Sequence, residues 1–192
     1  MSNPAQPICI IGSGLAAYTL IREYREINAE HPITLVTQEA GDFYSKPMLS
    51  TAITGQKSAE QLVTSSAAKM AEQLNLVIHT HATVKQIDPK DQMISVVLSN
   101  GQSVDIGYSQ LVLALGADQI RVPIDGDASD AIQSVNDLHD YANFRKQLDG
   151  KKKVVILGAG LIGCEFANDL AVGSYQVELV DLAILANEGV GC

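Results

Sequence analysis

Residues 8–17 read Ile-Cys-Ile-Ile-Gly-Ser-Gly-Leu-Ala-Ala, and residues 154–163 repeat the pattern as Val-Val-Ile-Leu-Gly-Ala-Gly-Leu-Ile-Gly. In each stretch an uncharged apolar run meets two glycines spaced one residue apart, and a helical apolar pattern follows. This order predicts a buried parallel strand, a tight glycine turn and a helix. Because the free amides at a helix start attract phosphate, each stretch indicates a dinucleotide-binding β-α-β unit. The two units are called the first and the second motif below.

The first motif has the glycines that a phosphate-binding turn needs. Gly12 allows the tight turn out of the strand, and Gly14, which lacks a Cβ, lets a pyrophosphate approach the backbone. Ala17 stands in place of the usual third glycine and is small enough to keep helix and strand close. After the second strand, residues 37–39 read Thr-Gln-Glu, so Glu39 lies two positions later than a ribose-binding carboxylate requires. Glu39 is therefore a candidate ribose ligand; the alternative is a glycine turn without ligand.

The second motif matches the pattern more fully. All three glycine positions of the motif are filled, by Gly158, Gly160 and Gly163. Asp181 falls at the end of the next predicted strand, about 20 residues further on. A carboxylate there accepts hydrogen bonds from a ribose diol and repels a 2′-phosphate, so NAD is favoured over NADP. The alternative is that this motif, followed only by residues 182–192, folds poorly and binds nothing.

Helix and strand patterns alternate between and around the motifs. Ser58 and Gln61 form a capping-box signature that predicts one helix to about residue 75, followed by one strand over residues 76–84. Asn100-Gly101, between two apolar stretches, predicts a β-hairpin. The remaining predicted elements are strands at 8–11, 33–37, 111–115, 154–157 and 177–181, and helices at 15–27, 161–170 and from Asn136 to 148. In the first of these helices, Leu20, Ile21, Tyr24 and Ile27 are expected to face inward.

The composition fits a globular protein without nucleic-acid partners. Of 192 residues, 46% are apolar, and 22 acidic against 13 basic residues give a net charge of −9. A general nucleic-acid footprint needs a basic surface, so this charge argues against one. No apolar run approaches the roughly 20 residues of a membrane span. Residues 1–7 contain no basic residue, which argues against a signal peptide.

The cysteines and histidines indicate no redox or metal site. Cys9, Cys164 and Cys192 are scattered, which predicts a reducing cytoplasmic location rather than a disulfide framework. Cys9 and Cys164 are interpreted as small core residues. His79 and His81 alternate on one predicted strand face, and the further ligands that a metal requires are not evident. We predict no metal site and assign no catalytic side chain.

Three stretches carry a resemblance to a known family. Residues 44–50 read Tyr-Ser-Lys-Pro-Met-Leu-Ser, residues 111–117 Leu-Val-Leu-Ala-Leu-Gly-Ala, and residues 158–167 Gly-Ala-Gly-Leu-Ile-Gly-Cys-Glu-Phe-Ala. Together with the paired motifs, they resemble the FAD-dependent pyridine nucleotide-disulfide oxidoreductase superfamily over residues 8 to about 182. The resemblance implies an α/β fold with an incomplete Rossmann-like FAD-binding domain, including a β-hairpin excursion, at residues 1–150. It also implies the first β-α-β unit of an NAD-binding domain at residues 151–192, and hence a C-terminally truncated chain.

The resemblance also implies a role for individual residues of both motifs. Leu115 stands where the family usually has threonine, whereas Gly116 keeps the close approach to cofactor. Glu165 would point toward the stacked flavin and nicotinamide, and Lys46 would reach the flavin side of FAD. The implied FAD-binding residues are Gly12, Ser13, Gly14, Leu15 and Ala16 for the pyrophosphate, Thr37, Gln38 and Glu39 for the adenosine ribose, Val84 for the adenine, and Gly116. The implied NAD(H)-binding residues are Gly158, Gly160, Gly163 and Asp181.

The implied activity is electron transfer from NADH through FAD to rubredoxin, a small iron carrier. Disulfide-reducing members carry a Cys-x4-Cys pair after the second strand, whereas residues 43–54 contain no cysteine. Without that thiol relay, the flavin itself must pass electrons on. A related ferredoxin reductase, an NADH oxidase and an inactive truncated fragment are the alternatives, and the oligomeric state is left open.

Overall fold

A computed structural model describes residues 6–181. These residues form two compact units, one of residues 6–44 and 63–118 and the other of residues 45–62 and 119–181. Each is described by itself below. The apolar stretch 182–186, Cys192 and the N-terminal residues 1–5 lie outside the described residues. The domain boundary that the sequence places at residue 150 stays a prediction; the compact units divide the chain at other positions.

The helices and strands follow the alternating pattern that the sequence predicts. In chain order they are β1 (Ile8–Ile11), α1 (Leu15–Ile27), β2 (Ile33–Val36), β3 (Phe43–Tyr44), a 3-10 helix (Lys46–Thr51), α2 (Ala59–Leu62), β4 (Val63–Ser65), α3 (Ala67–Gln73), β5 (Val77–His79), β6 (Thr83–Asp88), β7 (Met93–Val97), β8 (Ser103–Gly107), β9 (Gln110–Leu113), a 3-10 helix (Ser129–Ala131), α4 (Leu138–Leu148), β10 (Lys153–Leu157), α5 (Leu161–Val172) and β11 (Gln176–Val180).

The first compact unit is built on a parallel sheet with strand order β5-β2-β1-β9. Every residue of β1 and β2 is buried, which is why these strands read as continuous apolar runs rather than alternating ones. Helix α1 buries Ala17, Tyr18 and Ile21 against this sheet. The Tyr18 hydroxyl also donates a hydrogen bond to the carbonyl oxygen of Gly41. The parallel sheet and its crossover helix confirm the predicted α/β fold class.

A three-stranded antiparallel sheet, β6-β7-β8, completes the first compact unit. Gly101 has a φ of 81° between β7 and β8, as the predicted Asn-Gly hairpin requires. Ile94 and Val96 are fully buried and share a core with Cys9 and Val36 of the parallel sheet. The excursion is therefore packed onto the parallel sheet through its central strand.

The second compact unit pairs β10 with β11 in parallel, from Lys153 opposite Gln176 to Leu157 opposite Val180. Its helix α5 buries Asp169 and Leu170. The segment 45–62 belongs to this unit, and the Tyr141 hydroxyl of α4 donates a 2.9 Å hydrogen bond to the Lys57 carbonyl oxygen. Three apolar side chains of β10 and β11 are half exposed: Val155, Leu157 and Val180.

Several predicted elements differ from the structure in their extent. The helix predicted to reach residue 75 is instead two short helices, α2 and α3, separated by strand β4. The strand predicted over residues 76–84 is interrupted, and His81 there has a φ of 50°. Helix α4 is capped by the Asp137 side chain, which accepts the Asp140 amide at 2.7 Å, rather than by Asn136. On α1, Leu20 and Ile27 are exposed instead of inward-facing.

Candidate functional site

The loop between β1 and α1, called the first phosphate loop after the pyrophosphate that the sequence predicts there, is shaped by its glycines. The Gly12 amide donates a 2.8 Å hydrogen bond to the Val36 carbonyl oxygen. Gly12 has a φ of 108°, and a Cβ there would lie 2.1 Å from the Ala114 carbonyl oxygen, so only glycine fits. Gly14 caps α1, and a Cβ there would meet no atom within 4 Å. Gly14, Leu15 and Ala16 are all exposed. This open space at a helix start fits the pyrophosphate of a cofactor.

Thr37, the residue directly after β2, is locked into the loop. Its Oγ1 lies 2.9 Å from the Ser13 Oγ in a buried contact, and it accepts the Glu39 amide at 3.2 Å. The Thr37 amide donates to the His79 carbonyl oxygen at 3.0 Å. The Thr37 hydroxyl thus stabilises the turn through these hydrogen bonds. Gln38 and Glu39, which follow it in the chain, are exposed. The Ser13–Thr37 contact was not evident from the sequence, because the motif predicts which residues lie near a cofactor but not which of their side chains contact each other.

Two further candidate FAD ligands of the first compact unit are Gly116, beyond the carboxyl end of β9, and Val84, near the start of β6. Gly116 follows β9 with a φ of 72°, and Leu115 beside it is 68% exposed. Val84 lies on β6 next to an irregularity in the pairing with β7 and is partly buried. The Tyr44 hydroxyl lies 3.5 Å from Glu39 Oε2. Ligands of doubly wound sheets bind outside the carboxyl ends of the strands, where Gly12, Thr37 and Gly116 are found.

The second phosphate loop repeats the geometry of the first. Gly158 has a φ of 106°, and its amide donates a 2.8 Å hydrogen bond to the Val180 carbonyl oxygen. Gly160 caps α5, and a Cβ there would meet no atom within 4 Å. A Cβ at Gly163 would lie 2.0 Å from the Gly158 carbonyl oxygen, so helix and loop touch through the third glycine. The space at Gly160 fits a second pyrophosphate.

Asp181 stands beside this second loop. It follows β11 directly, and its Oδ2 accepts a hydrogen bond from the Ala159 amide. The carboxylate is therefore fixed against the glycine turn at the strand end. This is the position from which a carboxylate can accept hydrogen bonds from the two hydroxyls of a ribose.

Lys46 and Glu165 both belong to the second compact unit. Lys46 begins the 3-10 helix and is exposed, as is Glu165 on α5. The Glu165 Oε2 lies 2.5 Å from the hydroxyl of Ser50, a buried residue of the same 3-10 helix. Asp169, one turn further along α5, accepts the backbone amides of Ile53 and Thr54 at 2.6 Å and 3.1 Å. Neither Ser50 nor Asp169 was singled out from the sequence.

The cysteines of the described chain are not placed as a redox pair. Cys9 is fully buried on β1, and burial raises the pKa of its thiol to about 11. Cys164, in the first turns of α5, has its Sγ 3.5 Å from the Ala159 carbonyl oxygen. With its pKa raised, the Cys9 thiol stays protonated at neutral pH and is a poor nucleophile. Within residues 6–181, no group of three or more His, Cys, Asp and Glu side chains could hold a metal ion.

The sequence of the chain matches a known family over almost its whole length. The model of the pyridine nucleotide-disulphide oxidoreductases matches residues 6–185. The chain belongs to this family. Among curated pyridine nucleotide-disulphide oxidoreductase relatives, it is 48% identical over 179 residues to "Rubredoxin-NAD(+) reductase" of Acinetobacter baylyi, covering 92% of this chain and 45% of the relative. It is 41% identical to "Nitric oxide reductase FlRd-NAD(+) reductase" of Aliivibrio fischeri, covering 91% of this chain and 45% of the relative.

A solved structure shares the fold of this chain. NADH:rubredoxin oxidoreductase from Clostridium acetobutylicum aligns with a TM-score of 0.73 and 23% identity, covering 93% of this chain and 45% of that one. The chain thus spans less than half the length of these relatives. None of the helices in the described range is both long and apolar enough to cross a membrane.

Proposed function

We propose that the chain contributes the FAD site and the first part of the NAD(H) site of a reductase that passes electrons from NADH to rubredoxin. The observation that carries the proposal is the presence of two phosphate loops of matching geometry. In each, a glycine with φ above 100° bonds the neighbouring strand, and a second glycine leaves open space at a helix start. Two dinucleotides bound by one chain suit hydride transfer between them.

In this proposal the first motif binds FAD. Gly12, Ser13, Gly14, Leu15 and Ala16 surround the pyrophosphate, and the amides at the start of α1 donate to it. Thr37, Gln38 and Glu39, which follow β2, contact the adenosine ribose. Val84 contacts the adenine through its backbone, and Gly116 lets the cofactor approach closely. Lys46 lies on the flavin side of the cofactor.

The second motif binds NAD(H). Gly158, Gly160 and Gly163 let the pyrophosphate approach, and Asp181 accepts the ribose hydroxyls while opposing a 2′-phosphate. Glu165, four residues into α5, lies beside the flavin and nicotinamide rings. When bound, FAD supplies the redox chemistry by accepting a hydride and releasing electrons singly. The protein's part is to bind the cofactors and to exclude competing reactions.

Rubredoxin is the proposed acceptor because a relative that is 48% identical to this chain is named a rubredoxin-NAD(+) reductase. The absence of cysteine from residues 43–54 favours direct transfer from flavin to a one-electron carrier over disulfide reduction. A reducing cytoplasm is the proposed location. A ferredoxin reductase and an NADH oxidase remain the competing functions, since a shared fold does not fix the acceptor.

The test is to load the purified chain with FAD, reduce it with NADH in the absence of oxygen, and add rubredoxin, ferredoxin or oxygen. We expect a visible flavin spectrum, its bleaching by NADH, and faster reoxidation by rubredoxin than by the other acceptors. Failure to retain FAD contradicts the assignment of the first motif and favours the inactive fragment. Faster reoxidation by ferredoxin or oxygen favours the corresponding competing function.

A further inference from the structure

Helix α5 presents two carboxylates, one turn apart, to the same short segment of chain. Asp169 is buried and accepts the amides of Ile53 and Thr54. The Thr54 hydroxyl adds a 2.9 Å hydrogen bond to the Asp169 carbonyl oxygen. These contacts fix the segment to the helix. Glu165 differs from Asp169, because it is exposed and its carboxylate accepts from a side chain rather than from the backbone.

The side chain that holds Glu165 is the hydroxyl of Ser50. Ser50 is 2% exposed, and its Oγ lies 2.5 Å from Glu165 Oε2 and 2.9 Å from the Pro47 carbonyl oxygen. A hydroxyl has one proton to donate, and 2.5 Å lies in the range of charge-assisted O–H···O⁻ bonds. The hydroxyl therefore donates to the carboxylate of Glu165.

Stability alone is a weak reason for this contact. An exposed glutamate on a helix loses rotamer entropy when it is held in one conformation, which offsets part of what the hydrogen bond contributes to folding. Asp169 already attaches the same segment to α5 through three hydrogen bonds. A buried hydroxyl that fixes an exposed carboxylate is explained better by a need for that carboxylate at one position.

We propose that Ser50 is a positioning residue, whose hydroxyl fixes the Glu165 carboxylate for its place beside the flavin and nicotinamide. The inference rests on the proposed function, which assigns that place to Glu165. It extends the binding machinery to a buried residue. Ser50 acts through Glu165, so its effect on hydride transfer should vanish when Glu165 is changed.

The functional test compares flavin reduction by NADH in the FAD-loaded parent, Ser50→Ala and Thr54→Ala. Small displacements of a positioned group cost up to about 100-fold in rate, so we expect Ser50→Ala to lower the rate at saturating NADH by about tenfold. Thr54→Ala is the matched control, because it removes a hydroxyl hydrogen bond between the same segment and the same helix and leaves the Glu165 contact in place. It should lower stability and leave the rate unchanged. Ser50→Thr keeps the hydroxyl and should restore the rate, even where its added methyl lowers stability.

Two kinetic results would overturn the inference: equal rate losses in Ser50→Ala and Thr54→Ala, or rate losses of Ser50→Ala and Glu165→Gln that multiply in the double variant. A second measurement needs no cofactor. In the FAD-free chain, urea midpoints of the parent, Ser50→Ala, Glu165→Gln and the double variant form a cycle, and we expect shifts that do not add. Additive shifts overturn the inference. If NADH does not reduce the flavin of the parent, the proposed function is contradicted. If the urea midpoints are still non-additive in that case, the Ser50–Glu165 contact itself is supported.

Discussion

Thr37 and Asp181 occupy the same position in the two β-α-β motifs of this chain. Each follows the strand whose last residue accepts the amide of the turn glycine, Val36 for Gly12 and Val180 for Gly158, both at 2.8 Å. In the first motif the hydroxyl at this position braces Ser13, whereas in the second the carboxylate accepts the Ala159 amide. One scaffold therefore presents a neutral group in one loop and an acid in the other.

Asp181→Ala should weaken the preference for NADH over NADPH. The carboxylate opposes a 2′-phosphate, and like charges in contact cost several kcal/mol, so we expect the preference to fall by about tenfold or more. The measurement is flavin reduction at varied concentrations of each nucleotide. Glu178→Ala is the matched control, because it removes the same charge from β11, where Glu178 forms an exposed 2.6 Å ion pair with Lys153. A shift of equal size in the control would show a general charge effect and refute the ribose contact.

Gly14→Val and Gly160→Val should have reciprocal effects on cofactor binding. Both glycines cap a helix in extended conformation and face open space, so a valine is tolerated by the fold but occupies the approach of a pyrophosphate. We expect Gly14→Val to lose FAD and retain NAD(H) binding, and Gly160→Val to do the reverse. Flavin content after purification and calorimetric titration with NADH are the readouts. Retention of flavin by Gly14→Val would show that the first phosphate loop is wrongly assigned.

The two motifs could be predicted from sequence because their signals are local. A buried strand, its turn glycines and the following helix lie within about 20 consecutive residues, so α1 has the predicted bounds of Leu15–Ile27. The predictions of element bounds that are wrong involve pairing between residues far apart in the chain. The capping box at Ser58 and Gln61 does form, with an amide-to-side-chain distance of 2.8 Å, but helix α2 ends at Leu62 because the next residues pair with β3 as strand β4.

The same distinction applies to the candidate site. Gly12 and Gly158 could be identified from their spacing, since each turn requires glycine for local reasons. The contacts that orient the polar groups join residues far apart in the chain: Ser13 to Thr37 across 24 positions, and Ser50 to Glu165 across 115. Such pairs leave no periodic pattern, so only the tertiary structure reveals them.

Gly12→Ala should destabilise the fold much more than Gly158→Ala. Both positions have a φ above 100°, which strains any residue with a Cβ, but only at Gly12 would that Cβ collide with a backbone oxygen, that of Ala114. We expect a loss of about 3 kcal/mol in the free energy of unfolding for Gly12→Ala and about 1 kcal/mol for Gly158→Ala. Urea unfolding monitored by circular dichroism provides the measurement. Equal losses would mean that backbone strain alone decides the cost.

Burial of Cys9 should make stability fall at alkaline pH. Its thiol pKa is raised from 9.0 to about 11, so between these values the unfolded chain releases a proton that the folded chain keeps. The unfolded state then binds fewer protons, and stability decreases as pH rises through this window. Urea midpoints between pH 8 and 11 should fall more steeply for the parent than for Cys9→Ala. Tyr18, whose pKa burial raises to about 12, is present in both proteins, so its contribution cancels. If the urea midpoints of the parent and of Cys9→Ala depend equally on pH, burial does not raise the pKa of the Cys9 thiol.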